Sequence, residues 1–278
     1  MTEITAALVK ELRDETNLGM MECKKALQET NGDKEKAVRL LRERGLSVAE
    51  KKADRAAKEG RVAMDIAEGG KSGVMIEVNC ETDFVAKNEN FQSFVATLVE
   101  QAKGIDGSLA EAARDVVVAK IAEIGENIII RRNDKFVASE PGAIAGYIHL
   151  GGKVGVLLEV GCGQAGTTAK DAFKEAVKDI TLHIAAASPA YLKRDDVPGD
   201  ILSAEREIYA KQVEGKPANI IDKIVGGKID KYFSQVCLVE QGFVKDPDQT
   251  IAQYLEGKGK ECGDTLTIRR FVRYQVGA

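Results

Sequence analysis

Gly73-Val-Met-Ile-Glu-Val-Asn-Cys80 and Gly155-Val-Leu-Leu-Glu-Val-Gly-Cys162 are two copies of one pattern. Each opens on Gly, carries Glu at its fifth position, ends on Cys and is otherwise almost wholly apolar, which reads as a buried strand. Eighteen residues after each opening Gly stands a helix-face Phe, Phe91 or Phe173. In the first copy Phe91, Phe94, Val95, Leu98 and Ala102 recur at helical spacing on one face. Further on, Gly125-Glu-Asn-Ile-Ile-Ile-Arg-Arg132 matches Gly263-Asp-Thr-Leu-Thr-Ile-Arg-Arg270. Strand, helix and closing strand, written twice, predict an α+β core built by duplication.

From opening to closing Gly the first copy takes 52 residues and the second 108, so the second carries an insertion. It is placed at 197–235. Pro198 suits a first helical turn, Ile201, Ala204 and Ile208 form a stripe, and Gly215-Lys216-Pro217 breaks it. Ile221, Ile224, Val225 and Tyr232 form a second stripe. Two helices of about 15 residues, each about 22 Å long and joined this tightly, predict an antiparallel helical hairpin.

Residues 4–45 read as three short helices. Ile4, Leu8 and Leu12 mark the first, with Thr5 as its N-cap and Asn17-Leu18-Gly19 as its stop. Met20, Cys23 and Leu27 mark the second, which ends at Asn31-Gly32. Asp33 caps the third, where Ala37, Val38 and Leu41 face inward and Gly45 is the stop. Narrow apolar stripes of this kind suit a docking bundle. Of the adjacent Met20 and Met21, one is expected to fill a gap in the core and the other to offer a soft contact surface. Lys10, Arg13 and Lys24 either rim that surface or form an ordinary solvated face. Leu46 to Gly60 reads as a linker. The chain thus divides into a bundle and linker over 1–54, a first core subdomain over 55–140, a second over 141–196 and 236–278, and the hairpin over 197–235.

Composition narrows the function. A net charge of −4 gives no global attraction to nucleic acid or to an anionic membrane, and no run of about 18 apolar residues is present to span one. The absence of Trp disfavours a base-stacking platform. The odd count of five Cys, without CxxC spacing, favours reduced thiols over disulfides or zinc, and with no leader-like start this points to the cytoplasm. The two His, His149 at a strand end and His183, stand apart in sequence, no metal-ligand cluster or catalytic constellation is visible, and no bound cofactor is expected. Gly70-Lys71-Ser72 resembles the end of a phosphate loop, but Asp65 stands where Gly is required and a strand follows. Gly161, Gly163 and Gly166 match GxGxxG between a strand and a helix over about 169–186, which leaves a dinucleotide-binding oxidoreductase as the alternative.

The sharper signal is Thr82-Asp83-Phe84-Val85, at the strand-to-helix turn of the first copy. In the second copy the Asp-Phe pair is replaced by Ala165-Gly166 while the strand and helix-face residues remain. The scaffold therefore does not need Phe84 for packing, and against the reading that the ring folds back into the chain's own core, it is expected to be held out at the turn as an interface anchor.

Together, Ile4-Thr-Ala-Ala-Leu-Val-Lys-Glu-Leu-Arg13, Gly19-Met-Met-Glu-Cys-Lys-Lys-Ala-Leu27, Asn79-Cys-Glu-Thr-Asp-Phe-Val-Ala-Lys87 and Ile124-Gly-Glu-Asn-Ile128 closely resemble the bacterial-type elongation factor Ts family, over nearly the whole chain. The resemblance implies a ubiquitin-associated-like N-terminal bundle and a non-enzymatic role: guanine nucleotide exchange on elongation factor Tu, GDP-bound and nucleotide-free. It implies that Thr82, Asp83, Phe84 and Val85 disturb the partner's Mg²⁺ and phosphate region. It implies partner contacts at Lys10, Arg13, Met20, Met21, Lys24, Ile124, Gly125 and His149. Some members carry a further C-terminal helical module, whereas here the sequence ends just after Phe271-Val-Arg-Tyr-Gln-Val276.

Overall fold

The computed structural model of the chain describes residues 4–213 and 217–278. Three helices come first: α1 (Ala6–Thr16), α2 (Met20–Glu29) and α3 (Lys34–Lys52). The first half of the core follows as β1 (Glu59–Ile66), β2 (Ser72–Cys80), α4 (Asp83–Lys87), α5 (Glu89–Lys103), α6 (Leu109–Ala112), α7 (Arg114–Ile124) and β3 (Ile129–Val137). The second half is β4 (Gly142–His149), β5 (Val154–Cys162), α8 (Asp171–Ala187), α9 (Gly199–Lys211), α10 (Ala218–Val236), β6 (Gly242–Phe243), β7 (Asp246–Thr250), α11 (Ile251–Cys262) and β8 (Leu266–Gln275). The fold is mixed α+β, with sheets in the orders β1-β2-β3, β4-β5-β8 and β6-β7. Two compact units are formed, one of Met1–Ala63, Ile76–Asn133 and Gln275–Ala278, the other of Met64–Met75 and Asp134–Tyr274. Among the described residues no helix is long and apolar enough to cross a membrane.

In the first unit the N-terminal helices end where their caps dictate. The Thr5 hydroxyl accepts from the Leu8 amide, Asn17 closes α1 in the left-handed conformation, and the Asp33 carboxylate accepts from the Lys36 amide. Val9, Leu12, Cys23, Ala26, Leu27, Ala37 and Leu41 make their shared core. Met20 is outside it, contrary to the expected stripe, because Cys23, Ala26 and Leu27 already fill the inner face of α2. Gly45 is not a stop. The helix runs on to Lys52, through much of the expected linker, and packs along α7. A Cβ built at the buried Gly45 would lie 3.5 Å from the Ala122 methyl, so the position serves close helix approach.

The helix-face residues of α5 read from the sequence, Phe91, Phe94, Val95, Leu98 and Ala102, are all buried. Glu77 is fully buried at the middle of β2, where a carboxylate needs a cation. Arg132 Nε on β3 supplies it at 2.7 Å, with Arg131 at 3.7 Å.

The second unit repeats this plan. β5 pairs antiparallel with β4 from Gly142↔Gly161 to His149↔Val154. Val156, Leu158 and Val160 of β5 pack with Phe173, Val177, Ile180 and Ile184 of α8 and with Tyr254 and Leu255 of α11. Buried Glu159 takes the place of Glu77: Arg270 Nε lies 2.6 Å away, Arg269 3.3 Å, and the Ser139 amide donates to it at 2.8 Å. His183 is core, between Gln241 and the Val244 amide, and burial keeps its imidazole below the usual histidine range.

In α9 and α10, Gln212 meets Lys228, Tyr209 lies under Lys228, and Glu205 acts on Tyr232, so the two helices run antiparallel. The expected break at Gly215-Lys216 lies outside the described residues. Leu202 and Tyr209, not Ile201, Ala204 and Ile208, pack toward Val225, Ile229 and Phe233. Ile201 and Ile208 are exposed. All five cysteines are buried free thiols.

Two outcomes follow from this packing. Gly45→Ala is expected to raise stability by about 0.5–1 kcal/mol, because Ala improves a helix interior and its methyl meets ordinary contact distance, whereas Gly45→Leu is expected to lose about 1–3 kcal/mol by forcing α3 off α7. Urea unfolding curves of the variants measure both. For Glu159, burial pushes the carboxyl up, but the Ser139 amide and Arg270 outweigh it and hold it below its ordinary 4.5. A carboxyl depressed by folding contributes stability that is full above the unfolded value and is lost as pH falls through the folded one. The stability gap between wild type and Glu159→Gln is therefore expected to narrow as pH drops below about 4.5, read from chemical unfolding at a series of pH values.

Candidate functional site

The candidate site begins where β2 ends. Thr82 is extended and acts as N-cap of the one-and-a-half-turn helix α4, its hydroxyl accepting from the Val85 amide at 3.3 Å. The cap fixes the direction of the turn that follows. Phe84 points outward with 82% of its surface exposed, the most exposed large apolar side chain among the described residues, while Ala86 faces in. Asp83 forms an ion pair with Lys87 one turn on, at 2.7 Å. The hydrogen bond from Lys87 holds the Asp83 carboxyl below its usual range, so it is ionised at neutral pH.

The turn is fastened from a second segment. Glu126 accepts from the Glu81 amide at 3.0 Å, the Thr82 amide at 3.0 Å and the Thr82 hydroxyl at 2.6 Å. Glu81 answers by accepting from the Asn127 amide at 2.7 Å, and Arg55 lies 3.6 Å from the Glu81 carboxylate. Gly125 makes this possible. It closes α7 with φ +82°, a left-handed conformation that favours glycine, and turns the chain so that Glu126 meets the loop. Lys52 donates to the Gly125 carbonyl. The half-buried Ile124 and the exposed Gly125 are thereby brought beside the 82–85 turn. Glu126 and Glu81 were not singled out from the sequence. The available signal was the alignment of Glu126 with Asp264 in the closing segments.

The remaining candidates lie on other elements. Lys10 and Arg13 on α1 and Lys24 on α2 are exposed. Met20 and Met21 are 53% and 64% exposed, so neither fills the core, and α2 presents both thioethers to solvent. His149 ends β4 in the second unit, exposed, with Nδ1 2.9 Å from the Tyr147 hydroxyl.

The glycine run of the second copy does not form an anion cradle. The Gly163 and Gln164 amides already donate to the Asp264 carboxylate, at 3.0 and 2.9 Å. A Cβ at Gly161 would strike the Arg269 guanidinium, and α8 starts only at Asp171, after a 3-10 turn over Ala165–Ala169. With these amides engaged, the loop also lacks the immediate helix N-terminus that a pyrophosphate needs.

Comparison with known proteins gives one consistent result. Residues 81–278 match the family model described as Elongation factor TS. Over 99% of its length the chain is 45% identical to the elongation factor Ts of Trichlorobacter lovleyi, 46% to that of Clostridium perfringens and 44% to that of Nitratiruptor sp., in each case covering 93% of the relative. The duplicated core and these full-length similarities together make the chain a member of the elongation factor Ts family of translation elongation factors.

Proposed function

We propose that this protein is the guanine nucleotide exchange factor of elongation factor Tu, acting in the cytoplasm. It binds the GDP-bound GTPase and promotes GDP release by disturbing the Mg²⁺ and phosphate region, and it holds the nucleotide-free form. The observation that carries this reading is a phenyl ring 82% exposed on a turn fastened by its own scaffold. A surface ring held this firmly is preorganised for a pocket in a partner, because its ordering is complete before binding.

Residues 1–54 are read as a ubiquitin-associated-like docking module. Met20 and Met21 supply soft apolar contact, and Lys10, Arg13 and Lys24 the charged rim. The core subdomains, 55–140 and 141–196 with 236–278, bring in the turn and, through His149, a separate contact. The hairpin at 197–235 completes the domain plan. Ile124 and Gly125 flank the wedge.

A GTPase retains GDP through phosphate-loop amides and a coordinated Mg²⁺. Phe84 and Val85, inserted into an apolar pocket, favour a packing of the partner's helices that binds nucleotide weakly. Asp83, an ionised carboxylate one residue away, competes for the metal's surroundings. No bond is made or broken, so no nucleophile or general base is called for. Linkage requires the reverse as well: bound Mg²⁺·GDP weakens the partner's grip on the factor by the same ratio.

Release of a fluorescent GDP from elongation factor Tu, followed against factor concentration, tests this. Phe84→Ala is expected to lower the maximal release rate by about thirtyfold, the equivalent of ~2 kcal/mol for an interface anchor. Its thermal midpoint should match wild type, since the ring is exposed, whereas Phe91→Ala is expected to lose about 3–5 kcal/mol of stability. Met20→Ala with Met21→Ala is expected to raise the half-saturating concentration about tenfold and leave the maximal rate nearly unchanged, the signature of uniform docking energy. A wild-type release rate for Phe84→Ala would remove the wedge from the mechanism.

A further inference from the structure

Both copies of the core carry the same fastening. In the first, Glu126 follows the left-handed Gly125 and accepts from the Glu81 amide, the Thr82 amide and the Thr82 hydroxyl. In the second, Asp264 follows the left-handed Gly263 and accepts from the Gly163 amide, the Gln164 amide and the Thr167 hydroxyl. By the internal alignment Glu81 corresponds to Gly163 and Thr82 to Gln164, so the amides held are equivalent ones. The two sites differ in what they hold out: Asp83-Phe84 in one, Ala165-Gly166 in the other. They also differ in how the turn is fastened. The first adds the return bond from the Asn127 amide to Glu81 and the approach of Arg55, which Gly163, lacking a side chain, has no means to match. The second copy has in exchange the Thr265 amide donating to Asp264 at 2.7 Å, within the closing segment, whereas the side chain returned from the turn itself is on the copy that carries the exposed ring.

We propose that Glu126 is a positioning residue for exchange: its carboxylate sets the Thr82 cap and, through it, the direction in which Phe84 is presented. This rests on the exchange reading above. Thr82 Oγ1 donates to Glu126 and at the same time accepts from the Val85 amide, so the first turn of α4 is aimed by the carboxylate. A five-residue helix has too few internal bonds to set its own direction. Without Glu126 the two amides turn to water, the cap loses its anchor, and Phe84 must be ordered during insertion. The loss falls on the step after docking, so it appears in the maximal rate and not in the half-saturating concentration.

Asp264 supplies an internal control. Glu126→Ala and Asp264→Ala each remove one carboxylate from equivalent turns, and each is expected to lower the thermal midpoint by a similar amount. Only Glu126→Ala is expected to slow fluorescent GDP release, by roughly tenfold in maximal rate with the half-saturating concentration within about twofold of wild type. Glu126→Asp, which uses the carboxylate of the second copy, is expected to recover most of that rate. Should Glu126→Ala fail to fold, Thr82→Val against Thr82→Ser decides the matter: Val loses the bridging hydroxyl and is expected to release more slowly than Ser, which keeps it. The inference is overturned if Phe84→Ala slows release while Glu126→Ala, or Thr82→Val in its place, does not. It is also overturned if Asp264→Ala slows release as much as Glu126→Ala, since the effect then belongs to the fold. If Phe84→Ala itself leaves release unchanged, the exchange reading fails first and this one with it.

Discussion

A carboxylate sealed inside a sheet has to be met by a cation, and this chain meets that demand twice. Glu77 and Glu159 stand at the middle of β2 and β5, almost wholly removed from solvent. Arg132 and Arg270 reach them from the closing strands at 2.7 and 2.6 Å. Such a pair is weak evidence for stability by itself, because desolvation consumes most of the attraction. Its effect is on register. A closing strand displaced by two residues would carry its arginine about 7 Å along the sheet and strand a buried charge. Each pairing therefore fixes where its closing strand lies, and with it the Gly-acid step just before, from which Glu126 and Asp264 reach the turns.

The dependence runs from strand to turn to ring. Phe84 is presented because Thr82 caps α4, Thr82 is held because Glu126 is in place, and Glu126 is in place because Gly125 turns left-handed between α7 and β3. None of this requires the ring itself. The scaffold and the exposed aromatic are separable, which is why the second copy keeps one without the other.

Much of this plan was legible in the sequence because it was written twice. The repeat located the strands and the inner faces of α5 and α8, and the loss of Asp-Phe from the second copy exposed Phe84 as surplus to packing. What was misread depended on contacts between distant segments. Gly45 has the propensity of a stop, but the Ala122 methyl on α7 rewards a small residue inside a continuing helix. Ile201 with Ile208 and Leu202 with Tyr209 are both seven-residue pairs, and only α10 decides which faces inward. Met20 is the first residue of α2, where a stripe extrapolated from Cys23 and Leu27 runs off the helix end. Glu126 looked like any polar residue after a helix, since nothing local tells a carboxylate that solvates itself from one that receives three donors.

The sulfur chemistry of the chain has a practical side. Its five thiols are all enclosed, and burial pushes those of Cys162 and Cys262 up and that of Cys237 to about 11. Those three carry few thiolates near neutrality, and all five sulfurs are screened by burial from an alkylating reagent. A sixth cysteine, placed on the surface, would accept a maleimide dye or spin label ahead of the native ones. Site-specific spectroscopy thus becomes accessible without first stripping the sulfur from the interior.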